Sequence, residues 1–424
     1  MQLYKYLPQP SDRMGTLWAL ATINDACIIE YGPAGTTHYA LEGLMQFNAQ
    51  LEARLFTTHM DENDIIMGDS TRLEETIREV DAVHNPPVIF VLASSIASIV
   101  GTDIQSICEN LQEEIGAKLI CFTSGGFRGD YTVGIREVLT ALAENMVKAP
   151  KEKLENRYNI IGCNIDSYNF AADCKEVESI MKDCFGFELN SVFTANSSVK
   201  QIEDAARAKF NLVLRGEGSE CAEILKERFD MDYYIGCPYG FRGTLQWVRN
   251  MAKTFSIKAN DIYLYQQLDQ GKKHLMRINH ALFNYSNFNG ILAGSYDFVT
   301  DIHPFLTEEI MINIEKVIVN HSLRGEGYRR PAKALEHKLA VNPGEEEKEV
   351  ILSKVAPEIL LGDGVLLEMG AHVPVRIQVA NPNPRHYYRI YDNTPFMGFN
   401  GAIYLIETIL NQIHANRKEL KARF

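Results

Sequence analysis

Three glycine-rich stretches carry the residues best suited to chemistry. Cys121 to Tyr131 reads CFTSGGFRGDY, Leu214 to Glu220 reads LRGEGSE, and Cys237 to Gly243 reads CPYGFRG. Each is the exit from an apolar run, and each offers unpaired backbone N–H groups beside an arginine: Arg128, Arg215 or Arg242. Guanidinium groups pair bidentately with carboxylates and phosphates, so three of them at three strand ends would surround one anionic ligand. The same stretches serve equally as tight strand-to-helix turns with the arginine in a local ion pair. A fourth turn, CIIEYGPAGTTH at Cys27 to His38, brings the hydroxyls of Thr36 and Thr37 to a helix start behind Gly-Pro-Ala-Gly.

Thiols and imidazoles add little. The eight cysteines are scattered with no CxxC pair, which in a chain lacking a secretion signal reads as reduced thiols. Cys27 and Cys237 are the candidate metal ligands among them, although Cys27 reads first as a small buried hydrophobe. His38, His59, His303 and His386 have no zinc spacing, and no GxxxxGK[ST] nucleotide loop is present.

The elements that must position these turns follow from periodicity. Short apolar runs at Ala26 to Ile29, Arg54 to Thr57, Val88 to Ala93 and Lys118 to Phe122 alternate with stretches of three- and four-residue apolar spacing. That alternation predicts a parallel sheet with crossover helices. Similar sets begin near Tyr158 and Gly290, after the charged segment Lys148 to Arg157. The chain is thus read as α/β, with three Rossmann-like domains (1–150, 151–285 and 286–424) whose parallel sheets face a shared cleft. Arg324 to Lys348, rich in charge, reads as a solvated surface excursion, and Gly401 to Lys418 as a long amphipathic helix.

Composition sets the bounds. The chain has 424 residues, 46% hydrophobic and 23% charged, enough for two or three globular domains. A formal charge of −13 disfavours nucleic acid as a partner. No apolar run reaches the roughly 20 residues of a membrane span, and the N-terminus lacks an apolar signal core, so a cytoplasmic protein is expected.

The turn GPAGT, the GFRG at Gly126 to Gly129 and PFMGFNGA at Pro395 to Ala402 stand in an order that resembles component 1 of nitrogenase and its relatives. Those relatives include the cofactor-assembly scaffolds, the light-independent protochlorophyllide reductase and related tetrapyrrole reductases. SSIASIVGTDI at Ser94 to Ile104, AKFNLVL at Ala208 to Leu214 and EILLGDG at Glu358 to Gly364 support the likeness, which spans nearly the whole chain. The resemblance implies a homologous component 1-type partner chain, an iron–sulfur cluster at the shared interface, and electrons from an ATP-dependent iron–sulfur reductase. It also implies a substrate or metallocofactor in the cleft.

This sequence departs from the pattern where ligands belong. The family's cysteine positions are taken by Thr36 and Ser95, with Ser11 and Asp12 near the third. The cysteine and histidine that hold the large cofactor in nitrogenase are replaced by Arg215 and Met397. Thiolate is the soft ligand iron–sulfur clusters need, and a neutral hydroxyl is a poor substitute. The expectation is a subunit of a nitrogenase-like reductase whose partner supplies most cluster ligands. Two alternatives are a tetrapyrrole reductase with its macrocycle against the three arginines, and a non-catalytic cofactor scaffold. Thr36, Ser95, Gly126, Arg128, Arg215, Arg242 and Met397 are the candidate cofactor-contacting residues.

Overall fold

The structure, a computed structural model, describes residues 4–44, 47, 52–285, 288–325, 327–384, 393–416, 418 and 420. His386 lies outside them. Strands β1 (Cys27–Tyr31), β2 (Arg54–Thr57), β3 (Val88–Ala93) and β4 (Lys118–Phe122) form a sheet in the order β2-β1-β3-β4. β5 (Arg157–Cys163), β6 (Glu188–Thr194), β7 (Phe210–Val213) and β8 (Asp232–Ile235) form a second, β6-β5-β7-β8. β9 (Asn289–Gly294), β10 (Asn313–Val319), β11 (Leu339–Val341), β12 (Ile359–Asp363) and β13 (Val375–Ala380) form the third, β11-β10-β9-β12-β13.

Every strand pair is parallel. Helices cover both faces of such sheets, so central strands such as Val-Ile-Phe-Val-Leu-Ala of β3 are apolar and buried throughout. In each sheet the order reverses beside the first strand, at β1/β3, β5/β7 and β9/β12, and the carboxyl edge there is where open α/β sheets present ligands. The expected α/β architecture of parallel sheets is therefore present.

The sheets are separate, but their cores are not. Ile28 and Phe90 of the first sheet share one apolar cluster with Ile161, Phe193 and Val213 of the second. A larger cluster joins Tyr158 and Phe210 of the second sheet to Leu292 and Leu361 of the third. The first helix, Asp12–Leu20, is buried along its whole length and crosses the helix Tyr131–Asn145 at backbone contact. A Cβ on Gly15 would stand 1.8 Å from the Tyr131 carbonyl oxygen, and one on Gly134 1.8 Å from that of Asp12. Only glycine permits this approach.

Two expectations about elements need adjusting. The terminal helix runs Gly398–Ala415 and its apolar face, including Leu405, Ile406 and Ile409, packs on the body of this chain. The segment 324–348 is no simple surface excursion: it contains β11, and Tyr328 and Arg329 reach inward to bond the carboxylates of Glu217 and Asp301. Its charge pattern misled because several of those charges have partners.

Candidate functional sites

The helix crossing places the first site. Ser11 sits at the start of the helix Asp12–Leu20 and pairs with Asp130 in a short antiparallel bridge, while Asp12 N–H donates to the Gly129 carbonyl (3.0 Å). Gly126, at φ +101°, faces it so closely that a Cβ there would stand 3.2 Å from Ser11 Oγ. Ser11, Thr36, Ser95 and Gly126 together line one surface depression of about 370 Å³. The exposed rings of Phe127 and Tyr39 lie on its walls.

None of these oxygens is disposed to hold soft iron. Thr36 Oγ1 donates to the Pro33 carbonyl (2.7 Å), closing the turn it stands in. Ser95 is the first residue of the helix Ser95–Val100, whose capping is done by its neighbour, Ser94 Oγ accepting from Ala97 N–H (3.1 Å). Beneath the depression Arg13 is ion-paired with Glu30 of β1 and donates to the Thr36 carbonyl (3.1 Å). This buried pair, 17 residues apart in sequence, was invisible in the motifs, and it fixes the turn by polar bonds where thiolates would otherwise converge.

The second site is the inner cleft at the carboxyl ends of β5, β7 and β8. Arg215 dominates it, fully buried and fully engaged. Its Nη1 donates to both oxygens of Asp166 (2.9 and 2.8 Å), its Nε to Glu217 Oε2 (2.9 Å) and its Nη2 to Glu217 Oε1 (3.3 Å). Tyr328 donates to Glu217 as well (3.1 Å). Gly162, at φ +86°, makes room for the arginine, since a Cβ there would fall 2.4 Å from its Cγ. Burial alone would raise the Glu217 carboxyl, but the charge and hydrogen bonds of Arg215 outweigh it and hold the group down at about 2.

One carboxylate in this network has no such partner. Asp297 accepts from Gly216 N–H (2.7 Å), yet burial, and then the charge of Glu217, push it up to about 7. Its other oxygen is buried without a hydrogen bond among the described groups, 3.7 Å from Arg329. Of these residues only Arg215 was singled out from sequence. Glu217, two residues on in the same LRGEGSE turn, was the available signal for an internal pair.

The three arginines do not converge, contrary to the expectation of a single anion pocket. Arg128 is largely exposed, with Glu137 at 3.5 Å, and is absent from the cleft lining. Arg242 is exposed on the helix Gly240–Thr254, its backbone N–H bonded to Glu309 (3.2 Å). Arg215 alone lines the cleft, and its positive charge is spent on Asp166 and Glu217. The physical reason is local: Arg128 stands in the loop before the helix Tyr131–Asn145, its backbone N–H bonded to Asp12 Oδ2 (3.1 Å) and its side chain out beside Glu137, while Arg242 falls on the exposed face of the helix Gly240–Thr254.

The candidate thiols fare no better as ligands. Cys27 is buried in β1 among Ile29, Ile77 and Ile89, where burial raises its pKa. Cys237 lines the cleft, but its Sγ donates to the Leu214 carbonyl (2.9 Å), and burial, reinforced by Asp301 and Asp297, pushes the thiol well up. Met397 also lines the cleft. Its backbone N–H donates to Asp173 (2.9 Å), and its thioether is uncharged and only a weak acceptor. Among the described residues no group of three or more His, Cys, Asp or Glu is arranged to hold a metal ion. The cleft itself has only about 80 Å³ of free volume. Neither site fits an iron–sulfur or larger metallocluster.

The family profile described as nitrogenase component 1 type oxidoreductase matches residues 11–414. The chain belongs to that family. The component 1 relatives include the nitrogenase iron-molybdenum cofactor biosynthesis protein NifE of Clostridium pasteurianum, 29% identical over 54% of this chain and 50% of that protein. NifE of Methanococcus maripaludis is 28% identical over 66% of this chain and 61% of that protein. The nitrogenase molybdenum-iron protein alpha chain of C. pasteurianum is 25% identical over 56% and 45%. The chain spans about half the length of most of these curated relatives. A solved structure, nitrogenase Cp1 at pH 6.5, superposes with a TM-score of 0.83 over 99% of this chain and 95% of that one, at 14% identity, which speaks for the fold. Among the described residues no helix is long and apolar enough to cross a membrane.

Proposed function

We propose that this chain is the non-ligating half of a component 1-type assembly. A homologous partner chain supplies the cysteines for an interface iron–sulfur cluster, and this chain supplies the opposing face. The observation that carries the reading is the convergence of Ser11, Thr36, Ser95 and Gly126 on one depression flanked by exposed Phe127 and Tyr39. Ser11, Thr36 and Ser95 are the positions that the family resemblance marks for cluster contact. In this chain they present a neutral, rigid hydroxyl surface over the Arg13–Glu30 pair, suited to packing against a partner and to excluding water. Such a complex would take electrons from a separate ATP-dependent iron–sulfur reductase, since this chain has no nucleotide loop.

A scaffold role is the second reading, favoured by the NifE relatives, whose name assigns them to cofactor biosynthesis. The tetrapyrrole reading loses its support: one arginine of three lines the cleft, and about 80 Å³ falls far below the roughly 300–1,000 Å³ of pockets for molecules of drug size.

Co-expression with a cysteine-bearing component 1 homologue from the same source tests the proposal. Light scattering should report a hetero-oligomer, and anaerobic analysis should find iron and sulfide in the complex but not in this chain alone. Phe127→Asp should abolish pairing without lowering the melting temperature. A chain that stays apart from every such homologue, or holds a stoichiometric cluster by itself, overturns the assignment.

A further inference from the structure

A cavity of about 460 Å³ opens at β4, the edge strand of the first sheet, where the helices Ile104–Leu111 and Tyr131–Asn145 complete its wall. Two thiols stand in that wall, Cys108 from the helix Ile104–Leu111 and Cys121 from β4. Their side chains are in hydrogen-bond contact, and Cys121 Sγ also donates to Gln105 Oε1 (2.7 Å), one helical turn before Cys108. The helix and the strand are laced together around this pair. Gln112, which follows the helix, donates to the Ala117 carbonyl (3.0 Å) and accepts from Leu119 N–H (2.9 Å), two residues before Cys121. Asp103 fastens the other end of the helix by accepting from Ser106 N–H (3.1 Å). The contact between the sulfurs is therefore held by two anchored elements.

The two thiols are not equivalent. Cys108 is buried with Ile77, Ile89 and Leu111, whereas Cys121 is half-buried, so a reagent in the cavity meets Cys121 first. A hydrogen bond from Cys108 lowers the Cys121 thiol, while the same contact, together with burial, raises Cys108. One sulfur is thus disposed to act as nucleophile, and the other keeps its proton. Cys163 and Cys174 are also in contact, but that contact and burial push Cys163 well up, and Cys163 opens only on the inner cleft of about 80 Å³. The charge of the larger cavity restricts the reagent. Glu109, Glu137 and Glu144 line it and, among the described residues, no lysine or arginine does, so an anion is disfavoured.

We propose that Cys108 and Cys121 form a redox-active dithiol that undergoes thiol–disulfide exchange with small disulfides, uncharged or cationic, admitted by this cavity. Cys121 Sγ, as thiolate, attacks one sulfur of R–S–S–R, forms a mixed disulfide and expels one R–S⁻. Cys108 then gives up its proton and attacks Cys121 Sγ, expelling the second R–S⁻. The two cysteines lose two electrons and gain one S–S bond. The reagent gains those electrons, its own S–S bond breaks, and the two thiol protons pass to the two R–SH released. The product ties the helix Ile104–Leu111 covalently to the edge strand, independently of any cluster shared with a partner.

The test incubates the full chain near neutral pH with cystamine, a cationic disulfide, or with glutathione disulfide as the anionic counterpart. Alkylation after unfolding and peptide mass spectrometry then locate every thiol. The expected product is a Cys108–Cys121 linked peptide with the remaining cysteines alkylated, formed about tenfold faster with cystamine. Cys108→Ala, confirmed folded by its thermal transition, should stop at a mixed disulfide on Cys121 and move the pH midpoint of Cys121 alkylation upward. Cys121→Ala should leave Cys108 reduced. The wild-type peptide map reads the pair directly, whether or not a variant folds. No linked peptide at millimolar cystamine overturns the proposal. So does prior linkage of another pair such as Cys163 and Cys174, or reaction with glutathione disulfide as fast as with cystamine.

Discussion

Arg215 holds two buried carboxylates, so its removal is a test of the whole inner cleft. Arg215→Met should leave Asp166 and Glu217 facing each other without a cation and destabilise the chain by about 3–5 kcal/mol in urea unfolding. Arg215→Lys keeps the charge, loses the fork and should fall between. Adding Glu217→Gln to Arg215→Met should recover part of the loss. Asp297 gives a pH signature. Its carboxyl is pushed to about 7 when folded, against 3.8 as the reference value, so between these the folded state holds a proton the unfolded state has released. Stability from this group therefore falls as pH rises through that window. Glu217 acts oppositely: its contribution is complete above its reference value of 4.5 and is lost as pH falls toward about 2. Asp297→Asn can still accept from Gly216, and should flatten the fall in melting temperature between pH 4.5 and 7 and raise stability above pH 7. An unchanged profile would remove Asp297 from the account. At this scale the sequence exposed the positions but not their partners. Arg215 was visible as a charge at a strand end, whereas Asp166 and Arg329 come from 49 residues before it and 114 after it, and no local pattern joins them.

The strands were legible because both faces of a parallel sheet are buried, which writes each strand as a short apolar run such as β3 or β12. The helix crossing that builds the surface depression was not. Gly15 and Gly134 look like ordinary helical glycines in sequence, and their role appears only when the two backbones meet. Gly134→Ala should force the helices Asp12–Leu20 and Tyr131–Asn145 apart and cost about 1–3 kcal/mol or more by overpacking. It should also weaken partner association, because Ser11 rides on the displaced helix. Gly35→Ala, with open space around its Cβ position, is the matched control and should leave stability nearly unchanged.

Across the whole molecule three sheets suggest three independent units, and we propose boundaries near Lys151 and Tyr285. The shared apolar clusters predict that these units do not fold alone. Residues 1–150 expressed by themselves would expose the surface that Ile161, Phe193 and Val213 cover, and should lack protease resistance and a cooperative thermal transition. A well-folded fragment would refute this. The three amide hydrogens gathered on Glu345 have a kinetic consequence. Burial alone would raise the Glu345 carboxyl, but the hydrogen bonds from the backbone N–H groups of Lys5, Tyr6 and Leu7 outweigh it and lower it, so the fastening favours the charged form. Exchange of the Tyr6 and Leu7 amides with deuterated water then reports how readily the segment 4–10 lifts from Glu345. Glu345→Gln, which removes the charge that these amides meet, should quicken that exchange.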